Sequence, residues 1–332
     1  MCFRNIESMK YASIDMGTNT FRLLVAEVGP DGVSKPIVCR RAITRLGGGY
    51  TEEHGIDREA AHRAFNALDG FVEVLLEHSI TDVTAAATSV VRRAVNRDWF
   101  ASEVLRRTGI RLTVISGQEE ARLSLLGVLS VTGGAHAKSL VIDIGGGSTE
   151  YVAAAGPSLA GAWSMEMGVV HLTERYLASN PPKRSELDSM SAEISATIAV
   201  LKEKMVEDGI DPCRYCATDG AALIGTAGTV TTLAAIDLGL EAYDAAKVNN
   251  YTLTRKRVGE IYEHLARLTL KEREGILSLE KGREDLIMAG CAITLLSMEA
   301  FGFDELVVSD AGLLEGIIID RASRDATPQA RP

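Results

Sequence analysis

Three observations predict an α/β fold with mixed sheets, built as two halves. Apolar strand patterns alternate with helical ones along the chain. The alternation opens on three consecutive strands that read as an antiparallel meander. One design also occurs twice: apolar strand, Asp, Gly-containing polar turn, return strand. Its copies are Asp15-Met-Gly-Thr-Asn-Thr20 and Asp143-Ile-Gly-Gly-Gly-Ser148, 128 residues apart. This is duplication of a site-building unit, not a short-period solenoid. Two halves facing one another across a cleft are the economical architecture.

The elements follow in order. Residues 11–15 are a short apolar strand, 21–28 a second, and 33–45 contain a third; the turn between the first two makes a hairpin. Asp57 caps a helix running to about Glu77. Residues 83–87 read as a strand, 96–107 as a helix, 111–115 as a strand and 117–130 as a helix. The pattern then restarts with strands over 139–143, 149–154 and 160–165. Helices are expected over 170–177, 185–208, 229–238, 255–268 and 283–300, with strands over 221–226 and 305–308. A closing helix covers 311–320, and the tail after Ser323, with two prolines, is expected to fray.

At roughly 150 residues per domain, 332 residues suggest two domains. Composition is ordinary for a globular chain, with 46% hydrophobic and 24% charged residues, so wholesale disorder is excluded. With only 5% aromatics, the core must consist mostly of Ala, Val, Ile and Leu. No apolar run reaches the ~18 residues of a membrane span. The N-terminal segment lacks the apolar region of a signal peptide, and residues 1–8 read as a ragged extension or an upstream start. The net charge is −10, with all of the excess acid after residue 130. That sign argues against a nucleic-acid binder. Five cysteines without a secretory signal indicate reduced cytosolic thiols, hence a cytoplasmic protein. Cys213-Arg-Tyr-Cys216 has CxxC spacing, but no second CxxC or His pair completes a metal site, so it reads as an incidental loop pair.

Gly-rich turns let backbone N–H groups converge on an anion with no Cβ in the way. Gly145, Gly146 and Gly147 make an open nest, and Thr18, Asn19, Thr20 and Ser148 add side-chain donors. Asp15 and Asp143 are hard oxygen ligands suited to Mg²⁺ near phosphate. Glu150 lies two residues past Ser148, on the same side of the return strand. One such turn is ordinarily a tight hairpin; two with an acid in the same place point to a site. Gly225-Thr-Ala-Gly-Thr229 follows a strand and opens a helix, a phosphate-contacting context, although an ordinary strand-to-helix turn has the same form. It matches neither a Walker A nor a dinucleotide fingerprint. Arg92 and Arg93 follow a strand, and a guanidinium fork matches phosphate oxygens; at least one of the two should be a plain surface residue. Glu119 and Glu120 open a helix, where acids commonly just favour the macrodipole.

Taken together, four motifs in order resemble the exopolyphosphatase / guanosine pentaphosphate phosphohydrolase (Ppx/GppA) family across nearly the whole chain. They are residues 11–20, Ser116-Gly-Gln-Glu-Glu-Ala-Arg122, Val141-Ile-Asp-Ile-Gly-Gly-Gly-Ser-Thr-Glu150 and Gly225-Thr-Ala-Gly-Thr229. The resemblance implies two ribonuclease-H-like domains of the actin/hexokinase/Hsp70 type (the ASKHA superfamily) with the active site between them. Residues 1–128 would form the first domain and 129–310 the second. The closing helix, 311–322, would pack back on the first, and Gly127, Gly133 and Gly134 would allow a bend between them.

The resemblance also implies Mg²⁺-assisted hydrolysis of a terminal phosphoanhydride. The family's catalytic glutamate falls on Glu120, with Glu119 as the fallback, and its arginine on Arg92. Its phosphate-loop residues fall on Asp15, Gly17, Thr18 and Asn19, and on Asp143, Gly145, Gly146, Gly147, Ser148 and Glu150. We add Gly225, Thr226, Gly228 and Thr229 as substrate contacts and assign Asp143, Glu150 and Asp15 to the metal. Leu314 stands where the family usually has Arg, and residues 208–219 look like a small insertion. The chain resembles the short class, without the C-terminal helical domains of a longer one.

In this scheme the turns, Mg²⁺ and Arg92 neutralise the phosphoryl charge, and Glu120 takes a proton from water. Arg40, Arg41, Arg45, Arg92, Arg93 and Arg97 supply local basic charge in an acidic chain. Expected substrates are polyphosphate or pppGpp, with (p)ppGpp or another nucleotide as possible regulators and a homodimer as the default assembly. The competing readings are an ATP-dependent small-molecule kinase of the same superfamily and a non-catalytic nucleotide sensor.

Overall fold

Alternating apolar residues from Ala12 onward drive β1 (Met9–Met16) into the centre of a sheet, where Ile14 and Met16 are fully buried. The computed structural model describes residues 8–29, 32–132 and 136–326. They divide into two units: one up to Ser130 together with the residues from Leu313 onward, the other Val131–Gly312.

In the first unit β1 pairs antiparallel with β2 (Thr20–Val28), which pairs with β3 (Ser34–Ile43). Helix α1 (Arg58–Glu77) is capped by Asp57, whose carboxylate accepts from the Glu59 and Ala60 amides. Strand β4 (Val83–Ala87) returns parallel to β1. A single turn, α2 (Ser89–Arg93), then leads to α3 (Arg97–Thr108), β5 (Leu112–Val114) and α4 (Gly117–Thr132). The sheet order is β3-β2-β1-β4-β5. One face packs on α1 and α3 through Phe65, Leu68 and Phe100.

The second unit repeats this plan with β6 (Lys138–Ile144), β7 (Thr149–Ala155) and β8 (Ser158–Met165). Helices α5 (Val169–Tyr176) and α6 (Arg184–Glu207) follow, then two 3-10 turns, Pro212–Tyr215 and Ala217–Asp219, and β9 (Ala222–Thr226). Next come α7 (Ala227–Asp237), α8 (Ala245–Val248), β10 (Thr252–Thr254), α9 (Arg255–Ala266), α10 (Leu270–Arg273), α11 (Ile287–Ala300) and β11 (Glu305–Val308). The order β10-β11-β9-β6-β7-β8 contains the first sheet's order plus one edge strand. Helix α11 runs through the core with Ile287–Thr294 entirely buried.

The chain closes on α12 (Leu313–Ala326), which belongs to the first unit. Leu314 and Ile318 pack on Leu24, Ala26 and Val28; Leu313 and Ile317 pack on Ala86, Ile115 and Leu123. Gly316 allows this approach, since a Cβ there would lie 1.8 Å from the Leu123 carbonyl oxygen. Leu314 therefore serves as a core residue, and its carbonyl accepts from the Ser13 hydroxyl (2.9 Å).

Several elements differ from the expectation. Helix α12 runs past Ser323 to Ala326, helped by the Arg321–Asp325 pair one turn apart (3.2 Å). Helix α11 begins at Ile287 because residues 283–286 form a turn, with the Leu286 amide on the Arg283 carbonyl (3.1 Å). Strand β10 was not foreseen. Gly127 lies inside the continuous α4, while Gly133 and Gly134 fall outside the described residues.

Candidate active site

Residues paired directly across neighbouring strands project to the same face. In the first unit Ala86, Asp15, Arg22 and Arg41 form one transverse row over β4, β1, β2 and β3. In the second, Thr226, Asp143, Glu150 and Ser164 form the equivalent row over β9, β6, β7 and β8. The duplicated backbone thus carries opposite chemistry beside an Asp at the equivalent place in each unit. Arg22 donates to Asp15 Oδ2 from Nε (3.0 Å) and Nη2 (2.7 Å). Glu150 Oε1 instead accepts the hydroxyls of Ser148 (2.8 Å) and Ser164 (2.7 Å).

The first-unit turn is closed by the Gly17 amide on the Thr20 carbonyl (3.2 Å). It is fastened from outside: the Thr44 and Arg45 amides donate to the Asn19 carbonyl, and the Gly47 amide to that of Thr18 (2.8 Å). A Cβ on Gly47 would meet Thr18 Cγ2 at 2.3 Å, so only glycine fits there. Arg63 of α1 locks the strap by donating to the Thr44 and Arg45 carbonyls. Within this tight turn Thr18 Oγ1 and Asn19 Oδ1 are buried without a hydrogen-bond partner. Such orphans each cost about 1–3 kcal/mol, which a polar ligand would recover. Thr18 can donate to a phosphate oxygen, and a flip of the Asn19 amide offers N–H in the same place.

Helix α4 carries both glutamates, and their surroundings separate them. Glu120 is buried, and Arg92 Nη1 donates to its Oε2 (2.9 Å) and to the Ile115 carbonyl (2.9 Å). Glu119 is engaged by the Arg122 fork through both oxygens (2.8 Å each). That hydrogen bonding holds the Glu119 carboxyl below its ordinary pKa, against the effect of burial. Both Glu119 oxygens are therefore already committed to Arg122. Arg93 lies over the Tyr50 ring, 5.3 Å from its centroid, a packing position.

In the second unit the Gly145 amide donates to the Ser148 carbonyl (2.9 Å). The Val169 and Val170 amides at the start of α5 take the Gly145 and Gly146 carbonyls (3.1 and 2.9 Å), pinning the nest. Gly168 is forced at this crossing, since a Cβ would sit 2.3 Å from the Gly146 oxygen. The third turn is fixed by the Thr226 hydroxyl on the Ala311 carbonyl (2.9 Å). Ala227, at its centre, has φ 69°, a left-handed conformation costing a residue with a Cβ about 1–2 kcal/mol. The Arg283 guanidinium lies against Gly228, 1.9 Å from where a Cβ would stand. Gly47, Arg63, Gly168 and Arg283 were missed from sequence. The Gly47-Gly48-Gly49 run was a visible signal for the first; the others depend on tertiary approach.

The matching model of protein families is that of the Ppx/GppA phosphatase family, over residues 24–325. The chain belongs to the Ppx/GppA phosphatase family. It is 34% identical over 328 residues to exopolyphosphatase 2 of Mycobacterium tuberculosis, covering 94% of this chain and 98% of that protein. It is 28% identical over 322 residues to the guanosine-5'-triphosphate,3'-diphosphate pyrophosphatase of Aliivibrio fischeri, spanning 61% of that longer protein. Among solved structures, the Ppx/GppA member from Aquifex aeolicus superposes with a TM-score of 0.79 at 29% identity, covering 97% of this chain and all of that one. An exopolyphosphatase from Cytophaga hutchinsonii gives a TM-score of 0.85 at 26% identity, over 95% of this chain and 98% of that one. The two repeated mixed sheets are accordingly the actin/hexokinase/Hsp70-type fold of the family.

The donor set in the second unit suits a divalent cation. Asp143 and Glu150 are direct cross-strand partners, and adjacent like charges favour a bound cation. Asp15 is engaged by Arg22 and suits an ion pair better. Among the described residues no group of three or more His, Cys, Asp or Glu forms a metal cage. Mg²⁺ is commonly held by one or two carboxylates with substrate phosphates and water, so two acids are sufficient. Among the described residues no helix is long and apolar enough to cross a membrane.

Proposed function

We propose that this chain is an exopolyphosphatase-type phosphohydrolase, releasing terminal orthophosphate from inorganic polyphosphate, from pppGpp, or from both. The observation that carries the reading is the Arg92–Glu120 pair: a nearly buried carboxylate held at 2.9 Å by a guanidinium, in the unit with the orphaned Thr18 and Asn19 atoms. A guanidinium resting on a carboxylate is poised to exchange it for phosphate oxygens of similar geometry. Once Arg92 turns to the phosphoryl group, its hydrogen bond to Glu120 Oε2 is released, which favours proton uptake from water by that carboxylate.

Each of the two turns, at Asp15 and at Gly145-Gly146-Gly147, offers backbone N–H groups to the phosphate chain, with the Thr18 hydroxyl as a donor in the first unit and the Ser148 hydroxyl, once turned away from Glu150, in the second. Gly225, Thr226, Gly228 and Thr229 contact its further part. Mg²⁺, when bound, supplies charge neutralisation at the phosphoryl oxygens, and Asp143 and Glu150 would hold it. Asp15 then acts through Arg22, keeping one cationic side chain oriented beside the turn. The working assembly is a homodimer, checked by sedimentation of the purified chain.

The deciding experiment incubates purified protein and Mg²⁺ with long polyphosphate, short polyphosphate or pppGpp, with and without ATP or ppGpp. Orthophosphate released from chain ends supports the reading. Transfer from ATP to a small molecule with no orthophosphate release would replace it with a kinase. Nucleotide binding without turnover of any substrate would replace it with a sensor.

A further inference from the structure

The loop between α6 and β9 carries two thiols that phosphate chemistry does not use. Asp211 opens its 3-10 turn, accepting the Cys213 amide on its side chain (2.9 Å). The Cys216 amide closes the turn on the Cys213 carbonyl (3.2 Å). A hydrogen-bonded i to i+3 turn keeps its end Cα atoms within about 7 Å, and side chains i and i+3 of a 3-10 turn eclipse one another. That distance overlaps the roughly 4.4–6.8 Å a disulfide spans. The Cys216 thiol is pushed above its ordinary pKa first by burial and then by its nearness to Cys213. Lys202 of α6 acts in the opposite direction, favouring the Cys216 thiolate. Cys213 is exposed and Cys216 partly shielded, the asymmetry of an attacking and a resolving thiol. The frame is firm: the Ala217 amide is bonded to the Phe301 carbonyl (3.2 Å), and Tyr215 is buried between the thiols in sequence.

We propose that Cys213 and Cys216 form a reversible dithiol–disulfide site that exchanges with small-molecule disulfides. The Cys213 thiolate attacks one sulfur of the incoming disulfide RSSR, forming a mixed disulfide and releasing RS⁻, which takes up the proton Cys213 gave up. Cys216 then loses its proton and attacks the Cys213 sulfur, closing the loop and releasing the second RS⁻, which is protonated in turn. The protein gives up two electrons and two protons, and RSSR becomes two RSH. The Cys216 thiol gives up its contact with the Pro212 carbonyl (3.4 Å), a weak bond. A zinc site fits less well, since structural zinc takes four ligands and no His, Cys, Asp or Glu group of three or more occurs among the described residues.

The test equilibrates reduced full-length protein in glutathione buffers of graded ratio, quenches with acid, alkylates free thiols and maps the peptides. The expected result is a Cys213–Cys216 linked peptide, lighter by two hydrogens, whose fraction rises with oxidised glutathione and reverts with dithiothreitol. Cys216→Ser should instead accumulate a glutathione adduct at Cys213, since nothing resolves it. The wild-type map alone decides the matter if that variant misfolds. Persistent glutathione adducts on wild-type Cys213, oxidation no faster than at the exposed Cys39, or stoichiometric zinc that blocks oxidation would each overturn the proposal.

Discussion

Asp143 and Glu150 stand opposite one another across the β6–β7 ladder, where the first unit has Asp15 opposite Arg22. One backbone plan therefore places an acid beside a base in one unit and two acids side by side in the other. Neighbouring like charges destabilise a sheet by a few tenths to about 1 kcal/mol, so the second pair gains from a cation while the first does not.

Added Mg²⁺ should accordingly raise the melting temperature of the wild-type protein. Binding to the folded state contributes about 2.7 kcal/mol at a hundredfold excess over Kd. Asp143→Asn or Glu150→Gln should remove most of that rise, and Gln at 150 can still accept the Ser148 and Ser164 hydroxyls. Calorimetry with and without Mg²⁺ checks this, and an undiminished rise in both variants would place the cation elsewhere.

Glu120→Gln should retain fold and substrate binding and lose roughly 10²–10⁴-fold in turnover, the usual range for loss of a general base. Glu119→Gln should keep most activity, because Arg122 already commits that carboxylate. Steady-state orthophosphate release measures both. A dead Glu119→Gln beside an active Glu120→Gln would mean that the neighbouring carboxylate is the base.

Two glycines with opposite surroundings give a stability contrast. Gly168→Ala pushes a Cβ to 2.3 Å from the Gly146 oxygen and so displaces the phosphate nest. We expect about 1–3 kcal/mol of destabilisation together with lost activity. Gly70 sits within α1 with nothing within 4 Å of a Cβ, and Gly70→Ala should stabilise by about 0.5–1 kcal/mol. Urea titration reads both; equal effects would mean that α5 can move off the nest freely.

What the sequence disclosed follows from the range of each signal. The strand–Asp–turn units were legible because alternation and glycine spacing are local, and β1, β2, β6 and β7 lie where they were expected. The three-residue β10 was not legible, because its pairing with β11 lies some 50 residues away and short strands leave little pattern. The Arg22–Asp15 pair needs the antiparallel register, which a hairpin reading leaves open. Arg283 at Gly228 and Arg63 on the 44–45 strap are long-range contacts of side chains that look like ordinary surface charges. The opposite chemistry of the two rows could be read only once β1–β2 and β6–β7 were aligned.

Arg122 joins α4, the helix bearing Glu120, to the closing helix α12: its Nη2 contacts Glu119 Oε1 and Asp320 Oδ1, both at 2.8 Å. The Glu119 carboxyl is held below its ordinary value, chiefly by the hydrogen bonds from Arg122. A group whose folded pKa is depressed stabilises the fold above its unfolded pKa, about 4.3 for Glu, and that increment disappears as pH falls through the folded value. The Glu119 and Arg122 side chains are 37% and 33% exposed, so solvent screening limits the pair to roughly 0.5–1 kcal/mol. Arg122→Met keeps the apolar stem and removes the charge. The melting-temperature gap between this variant and the wild type should be widest near pH 7, narrow below about pH 4 and shrink with added salt. A gap that is constant across pH and salt would show that Arg122 holds α4 to α12 by packing alone.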